Sequence, residues 1–383
     1  MKEKLSLPNG WELKTIGDVC VSASSNVSQN KLADDEGDYP IFGASGLIKK
    51  VSFYHRDKPY LSIVKDGSGV GRVTKMDAFT SVIGTLQYIL PKENIDLDYL
   101  NYSLMSVDFK KYVAGAAIPH IYFKDYKNEP FLWMPLPEQR RIVSIIDECF
   151  AAIAKAKANA EQNLKNAKEL FESYLKTAFE NKVHGERFEP LDSLCELIVD
   201  CEHKTAPTQE TGYPSIRTPN IGKGELILEN VNRVSYETYL QWTRRAVPKS
   251  GDLILAREAP AGNIAVIPEN IEVCLGQRTV LLRPKKDRLV SKYLAYLILS
   301  KEVQEILLSH STGATVQHIN MKDIRAFKIY DLSDLKEQKS VAQKLDAIRA
   351  ETKRLEAIYQ QKLLNLEELK KSVLQKAFNG ELN

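Results

Sequence analysis

What most constrains the fold of this chain is that it repeats itself along nearly its whole length of 383 residues. Near each start, Trp11-Glu12-Leu13 leading to Ile16-Gly17-Asp18-Val19-Cys20 is answered by Phe188-Glu189-Pro190-Leu191-Asp192-Ser193-Leu194-Cys195. Tyr39-Pro40-Ile41 is answered by Tyr213-Pro214-Ser215, the run Gly84 to Pro91 by Gly276 to Pro284, and Tyr99-Leu100-Asn101-Tyr102 by Tyr293-Leu294-Ala295-Tyr296. The best match aligns Gly115 to Asp125 with Gly313 to Asp323, so that His120 and His318 fall on equivalent positions. Agreement at this many ordered points predicts two copies of one unit.

Each copy opens on short β-branched and aromatic runs broken by Gly, Pro, Asn and Asp, such as Ser62 to Val64 and Leu253 to Ala256, which predict strands and loops. Each closes on a stretch of another kind. From Pro137 to about Glu180 and from Leu335 to about Asn379 the chain is free of Gly and Pro after the first turn and rich in strong helix formers. Pro137 suits a first helical position, Asp334 with Glu337 has capping-box spacing, and Gly380 is a C-cap candidate. At a rise of about 1.5 Å per residue each helix is about 65 Å long, roughly two turns of B-DNA.

Alternating spacings of three and four put Val341, Leu345, Ile348, Thr352, Leu355, Tyr359, Lys362, Leu366, Leu369 and Val373 on one stripe, a coiled-coil seam with polar breaks at Thr352 and Lys362. In the first helix Ile142, Ile146 and Ile153 lead into Ala160, Leu164, Ala167, Phe171, Tyr174 and Ala178 with the same rhythm. The helix-pairing residues expected are Ala160, Leu164, Ala167, Phe171 and Tyr174 against Leu345, Ile348, Leu355, Tyr359, Leu366 and Leu369. Small Ala on one helix suits close approach of larger residues on the other. A homodimerisation coiled coil is the competing use of such helices.

A chain of this length exceeds the usual single core. Hydrophobic residues at 43% and charged residues at 27% are ordinary for a soluble globular protein. Pro8 interrupts the start before a signal-peptide core forms, and apolar stretches such as Tyr296 to Leu299 are too short to span a bilayer, so a cytoplasmic protein is expected. The five cysteines, Cys20, Cys149, Cys195, Cys201 and Cys274, are odd in number and lack a C-x-x-C pair, which predicts buried or incidental thiols rather than disulfides or zinc ligands. The net charge of +3 is mild, and the basic pairs Lys49-Lys50, Lys110-Lys111, Arg244-Arg245 and Lys285-Lys286 carry more information than the total.

Reagents for catalysis are hard to find. Gly67-Ser68-Gly69-Val70-Gly71-Arg72 lacks the Lys-Ser or Lys-Thr and the helix of a phosphate loop, and reads as a glycine-rich turn. Asn128-Glu129-Pro130-Phe131 has Glu129 where an amino-methyltransferase element has proline. Asp192 with Glu202 and Lys204 has the loose spacing of a metal-dependent nuclease, yet Glu202 and Lys204 have no counterpart in the first copy. No catalytic or metal-binding residue is assigned. A stand-alone DNA endonuclease and a coiled-coil scaffold remain the alternatives to a recognition protein.

The duplicated layout, with Pro137-Glu138-Gln139-Arg140-Arg141-Ile142 and Lys336-Glu337-Gln338-Lys339-Ser340-Val341 opening the helices, resembles the specificity subunits of type I restriction-modification systems. So does the ending Ser372-Val373-Leu374-Gln375-Lys376-Ala377-Phe378-Asn379-Gly380-Glu381-Leu382, which Ser173 to Phe179 echoes. The resemblance covers essentially the full chain. It implies an α+β protein in which two globular mixed α/β target recognition domains are separated by two long antiparallel coiled-coil helices, an internal pseudo-two-fold repeat. The expected limits are 1–135 and 183–333 for the domains, 136–182 and 334–383 for the helices.

The family resemblance further implies that each domain reads half of a split site in double-stranded DNA while the helices set the gap and dock two methyltransferase subunits. Catalysis belongs to the partners: S-adenosylmethionine to the modification subunits, ATP and Mg²⁺ to the restriction and translocase subunits, and no cofactor to this chain. Base reading needs side chains with fixed donors and acceptors: Arg or Lys for guanine, Asn or Gln for adenine, aromatics against thymine methyls. The candidates in the first copy are Lys65, Ser68, Arg72, His120, Tyr122 and Lys124. In the second they are Arg217, Thr218, Asn220, Arg257, Gln277, Arg278, His318, Asn320 and Lys322.

Overall fold

The computed structural model describes residues 10–115, 117–180, 182, 184–258, 260–309 and 318–381; the N-terminal residues up to 9, and residues 116 and 313–317 of the best-matching repeat, lie outside them. The chain divides into two compact units, Met1–Glu161 with Gln360–Asn383, and Gln162–Tyr359.

The first unit opens with strand β1 (Glu12–Thr15), the helical turn α1 (Ile16–Val19) and β2 (Cys20–Ser24). Thr15 and Asp18 form a capping box: the Asp18 amide donates to Thr15 Oγ1 at 3.3 Å and the Thr15 amide donates to the Asp18 carboxylate at 2.8 Å. Next come β3 (Tyr39–Gly43), β4 (Gly46–Val51), β5 (Tyr60–Val64), β6 (Val73–Met76), β7 (Ser81–Val82) and β8 (Leu86–Pro91). Helices α2 (Leu97–Met105) and α3 (Phe123–Tyr126) and strand β9 (Pro130–Trp133) lead into the long helix α4 (Leu136–Phe179). The sheets are β2-β8-β5-β6, β4-β3-β7 and β1-β9, antiparallel except where β3 meets β7.

The second unit follows with β10 (Phe188–Pro190), α5 (Leu191–Leu194), β11 (Cys195–Asp200), β12 (Tyr213–Ile216), β13 (Gly224–Glu225), β14 (Arg233–Val234), α6 (Tyr236–Trp242), β15 (Leu253–Ala256) and β16 (Ile264–Val266). It continues through β17 (Cys274–Leu275), β18 (Thr279–Pro284), α7 (Ser291–Leu299), α8 (Lys301–Ser309), α9 (Met321–Ala326), β19 (Lys328–Tyr330) and the long helix α10 (Leu335–Phe378). Its sheets are β11-β18-β15-β16-β13, β14-β12-β17 and β10-β19: the strand order of the first unit with β13 added at one edge.

Each core draws on both long helices. In the first unit Tyr99, Leu100, Phe131, Ile142 and Ile146 are buried together with Leu374 and Ala377 from the end of α10. In the second, Leu194, Tyr293 and Leu294 are buried with Phe171, Leu175 and Phe179 of α4 and Ala342 and Leu345 of α10. Burial of each larger apolar side chain is worth about 1.5–3 kcal/mol. The helices run in opposite directions within either unit. In the first, Lys157 pairs with Glu367 at 2.6 Å while the earlier Ile146 shares a core with the later Leu374. In the second, Arg349 lies over the Phe171 ring at 5.7 Å while Lys182 donates to Ser333 at 3.1 Å.

The helix-opening motifs have a specific use. Gln139, fully buried, accepts from the Asp96 amide at 2.8 Å and donates from Nε2 to Asn94 O at 2.9 Å and Met134 O at 2.7 Å. Gln338, equally buried, accepts from the Val290 amide at 2.8 Å and donates to Arg288 O at 3.0 Å and Ser333 O at 2.8 Å. A glutamine amide offers an acceptor and two donors on one planar group, which satisfies three backbone groups of the preceding loops and rivets helix to domain. About two turns later the phenol of Tyr296 donates to Asp346 at 2.6 Å, as that of Tyr102 does to Asp147.

α10 ends as the sequence predicts. Gly380 takes φ +78°, the Glu381 amide reaches Lys376 O at 2.9 Å and the Gly380 amide reaches Ala377 O at 3.4 Å, the two bonds of a Schellman cap. At its start the Glu337 amide donates to Asp334 Oδ1 at 2.8 Å.

The expected pairing stripe needs correcting at two places. Tyr174 is 50% exposed and only flanks the second unit's helix pair, and Leu369 is 49% exposed; the neighbours Leu175, Phe179, Leu374 and Ala377 are buried instead. A helix turns about 100° per residue, so of two adjacent apolar residues only one faces inward. At the later position the inward residue is Lys370, whose stem crosses the helix face so that its ammonium sits 4.7 Å from the Phe150 ring centroid, an amphipathic solution that an apolar count overlooks. Cys20, Cys195, Cys201 and Cys274 are buried and unpaired, and burial pushes the Cys20 and Cys195 thiols up to about 12 and that of Cys274 to about 11. No helix is long and apolar enough to cross a membrane, among the described residues.

Candidate nucleic-acid interface

In the first unit the chain leaves β5 at Val64, carries Lys65 and Asp66 into a glycine loop, and returns at Arg72. The Val64 amide donates to Arg72 O at 3.0 Å and the Gly71 amide to Val64 O at 2.9 Å. Gly67, Gly69 and Gly71 take φ of +88°, +88° and +86°, and a Cβ on Gly71 would lie 2.5 Å from Phe109 Cβ, so this turn needs glycine for both conformation and space. A second segment is clipped beside it: the Gly67 amide donates to Pro119 O at 2.8 Å, the Ile121 amide to Lys65 O at 2.9 Å, and Asp66 and His120 form a β-bridge.

This brings five of the six candidates of the first copy, with Ser68 at the loop tip, around one edge. The His120 and Tyr122 rings are 5.0 Å apart, Lys124 stands 5.2 Å above the Tyr122 ring, Lys65 is paired with Asp66, and Arg72 donates to Ala44 O. Lys110 and Lys111, on the exposed 3₁₀ turn Phe109–Tyr112 that abuts Gly71, extend the basic surface; the sequence showed them as a pair but gave no sign of where they lie.

The second unit builds the same cradle from other residues. β15 ends at Ala256, Arg257 and Glu258 follow, and the Ala256 amide donates to Asn263 O at 2.7 Å and the Gly262 amide to Ala256 O at 2.9 Å. The Ile319 amide donates to Arg257 O at 3.0 Å, and Glu258 and His318 form the β-bridge. The side chains are linked. Arg257, 7% exposed, donates from Nε to Ile319 O at 2.9 Å, from Nη1 to Asp200 at 2.7 Å and from Nη2 to His318 Nε2 at 2.8 Å. Because a guanidinium only donates, Nε2 accepts, which leaves the imidazole proton on Nδ1 for Glu258 Oε1 at 2.8 Å. The other oxygen, Glu258 Oε2, pairs with Arg278 Nε at 2.8 Å.

Not every second-copy candidate faces outward. Arg257, Thr218 and Asn220 are buried, and Arg257 and Asn220 have spent their polar groups inside the protein: Asn220 accepts from the Arg217 amide at 3.2 Å and donates to Ile227 O at 3.3 Å. These three lie beneath the surface on which base contact was expected of them. Asn320 donates to Asp323 at 3.2 Å at the start of α9, where Lys322 is exposed. Arg217 is exposed and packs on Gly276, where a Cβ would lie 2.4 Å from Arg217 Cγ. Gln277 donates weakly to His203 O at 3.4 Å, and His203 Nε2 meets Asp200 at 3.2 Å.

The sequence reading missed Asp200 and Glu258, which organise the cations, and gave Arg244 and Arg245 no place. Arg245 donates to Cys201 O at 3.2 Å and Arg244 pairs with Glu202 at 2.9 Å. That pairing also gives Glu202 a structural use, as a carboxylate held by two arginines at 2.9 and 3.5 Å. The one signal that could have located Glu258 is its position directly after the strand, matching Asp66.

The sequence matches the family described as "Type I restriction modification DNA specificity domain" over residues 8–165 and again over 189–365. The chain belongs to this specificity family. Among relatives, the type I restriction enzyme MjaVIII specificity subunit of Methanocaldococcus jannaschii is 25% identical over 99% of this chain and 94% of its own length. The EcoDI specificity subunit of Escherichia coli is 21% identical over 98% and 89%. A solved chain described under complex assembly and conformational transition of the type I R-M system superposes with a TM-score of 0.72 at 19% identity, covering 99% of this chain and all 100% of that one. The HsdS subunit of Thermoanaerobacter tengcongensis does so with 0.62 at 19% identity, covering 99% of each. Both copies of the repeat are thus specificity domains, and each carries one of the two strand-end cradles.

Proposed function

We propose that this specificity-family chain reads a bipartite site in double-stranded DNA, one half with each unit, and that α4 and α10 form an antiparallel coiled coil that fixes the gap. The reading domains correspond to residues 1–135 and 183–333 and the spacer helices to 136–182 and 334–383, related by a pseudo-two-fold repeat. The observation that carries this reading is the cradle after β5 and again after β15: one backbone arrangement, twice in one chain, with different cationic and aromatic side chains at its edge. Equal backbones with unequal side chains suit two different half-sites. Lys65, Ser68, Arg72, His120, Tyr122 and Lys124 form the DNA-facing set of the first unit; Arg217, Gln277, Arg278, His318, Asn320 and Lys322 form that of the second.

The chain itself performs no chemistry in this scheme. Two methyltransferase subunits supplying S-adenosylmethionine dock on the paired helices, restriction and translocase subunits supply ATP and Mg²⁺, and the assembly works in the cytoplasm. An apolar groove on the second unit's helix pair, lined by Tyr174, Ala178, Val341, Leu345 and Ile348, supports such docking.

Adding four residues to both helices in matching layers tests the spacer. Four residues shift a helix end by about 6 Å and turn it by about 400°, close to one full turn, so the apolar face is kept. The domains then separate by nearly two base pairs, at about 3.4 Å each. Methylation mapping of the assembled complex is expected to show a changed gap between two unchanged half-sites. An unchanged gap, or new half-site bases, sinks the proposal.

A further inference from the structure

The second cradle holds an array the first one lacks, and every link in it points to one exposed side chain. Asp200, Arg257, His318, Glu258 and Arg278 are joined in series at 2.7, 2.8, 2.8 and 2.8 Å. The series starts inside the protein, where Arg257 makes three hydrogen bonds, and ends on a guanidinium that is 60% exposed. We infer that Arg278 is the base-reading side chain of the second unit, taking guanine in the major groove, and that Arg257, His318 and Glu258 are positioning residues that aim it. The inference rests on the reading that this unit binds DNA.

Three observations carry it. Arg278 stands at φ +66°, a left-handed conformation in which a non-glycine residue is uncommon and which persists only where the surroundings impose it. The turn is held on both sides of it: Arg278 O accepts from the Arg257 amide at 2.8 Å, and Thr279 Oγ1 donates to Gly276 O at 2.8 Å. A position built for glycine that carries arginine is kept for its side chain, not for its backbone.

The chemistry of the array is equally directed. Arg257 holds the His318 proton on Nδ1, His318 then fixes Glu258 through Oε1, and Glu258 Oε2 takes Nε of Arg278. Among the described residues Glu258 is the ion-pair partner of Arg278, and it engages the Nε side of the guanidinium. The Nη fork is the part whose spacing matches O6 and N7 of guanine, a pair of acceptors that no other base presents in the major groove.

The first unit supplies the contrast. There Thr85 occupies the matching place, its carbonyl accepting from the Lys65 amide at 3.0 Å, and its hydroxyl is buried without a partner. The carbonyl bond is shared, but the left-handed turn and the exposed guanidinium belong to the second copy alone, and a difference confined to the edge is what a specificity-determining position requires.

The test uses the full chain assembled with its modification subunits in a host lacking other methylation, with the host genome as the DNA and its methylated sites mapped. Arg278→Gly relieves the positive φ, so the variant is expected to melt no lower than the parent while one G·C position of one half-site becomes degenerate, with discrimination there falling about tenfold or more. Arg278→Asn, a second residue tolerated at this φ, is expected to relax the same position. His318→Leu is expected to loosen that position as well, and His318→Asn, whose amide nitrogen can replace Nδ1–H toward Glu258, to restore it.

Uniformly weaker methylation of an unchanged motif in Arg278→Gly would mean a phosphate contact and overturn the inference. So would a His318→Leu variant that loses stability with its base preference intact. Failure of the underlying reading looks different: the parent complex itself would leave no methylated motif that depends on this chain.

Discussion

After β5 the first unit presents Lys65 and Asp66, and after β15 the second presents Arg257 and Glu258; the backbone around them is bonded in the same way, yet the side chains lead to different ends. In the first unit the neighbours are Thr85, His120, Tyr122 and Lys124, a surface of rings and ammonium groups. In the second they are Asp200, His318 and Arg278, a chain of paired charges with one exposed guanidinium. Deeper in, the difference disappears: Gln139 and Gln338 make the same three bonds. The comparison teaches that this fold separates two duties, a buried half that holds each domain to its helix and an edge free to change chemistry.

The most severe way to break that comparison is to attack one buried half alone. Ala377→Asp places a carboxylate at a fully buried site of the first core, with a cost expected at about 4 kcal/mol or more. Hydrogen exchange should show the first unit losing protection, Leu100 and Ile146 included, while Leu255 and Leu294 of the second stay protected. Equal loss in both would show one cooperative body and end the separation of duties.

Next in size are Gln139→Ala and Gln338→Ala. Each leaves three backbone groups of the preceding loops without their side-chain partner and is expected to destabilise its own unit by about 2–3 kcal/mol, with matched values because the bonds match. Urea unfolding followed by probes in each unit gives both numbers; a twofold inequality would mean that the rivets are not equivalent.

Smallest is a chemical measurement. Cys20 and Cys195 stand at equivalent places and burial raises both thiols to about 12, so neither should react with an alkylating reagent at pH 8 in the native protein. Mass spectrometry is expected to find modification at half-buried Cys149, and at all five cysteines only after denaturation. Rapid labelling of just one of the equivalent pair would reveal a looser core in that unit.

Much of the architecture was readable before any coordinate. Runs free of glycine and proline located α4 and α10 to within a residue or two, and Gly380 marked the cap that closes the latter. The repeat brought His120 and His318 to one position, and both sit on the bridge beside the cradle. What the sequence withheld has a common physical cause. Whether a polar side chain faces water or is bonded inside depends on partners far along the chain, as Arg257 depends on Asp200, 57 residues away. Thr218, Asn220 and Arg257 therefore read like surface groups, and Gln139 and Gln338 read like solvated helix residues. The stripe errors at Tyr174 and Leu369 are local instead, a choice between adjacent residues that hydrophobicity alone decides wrongly where a lysine stem does the covering.

The division of the chain also sets an order of manufacture. The first unit consists of residues up to Glu161 and from Gln360 onward, and its core contains Leu374 and Ala377. The second, Gln162–Tyr359, is an uninterrupted stretch. During synthesis the first unit therefore closes only after the second has been delivered, once Leu374 and Ala377 have followed it. A prematurely ended product holds one closed domain and one in which Tyr99, Ile142 and Ile146 lack their cover, the kind of exposed apolar surface that chaperones and proteases engage. The last turns of α10 thus act as the closing cover of the unit whose synthesis started first.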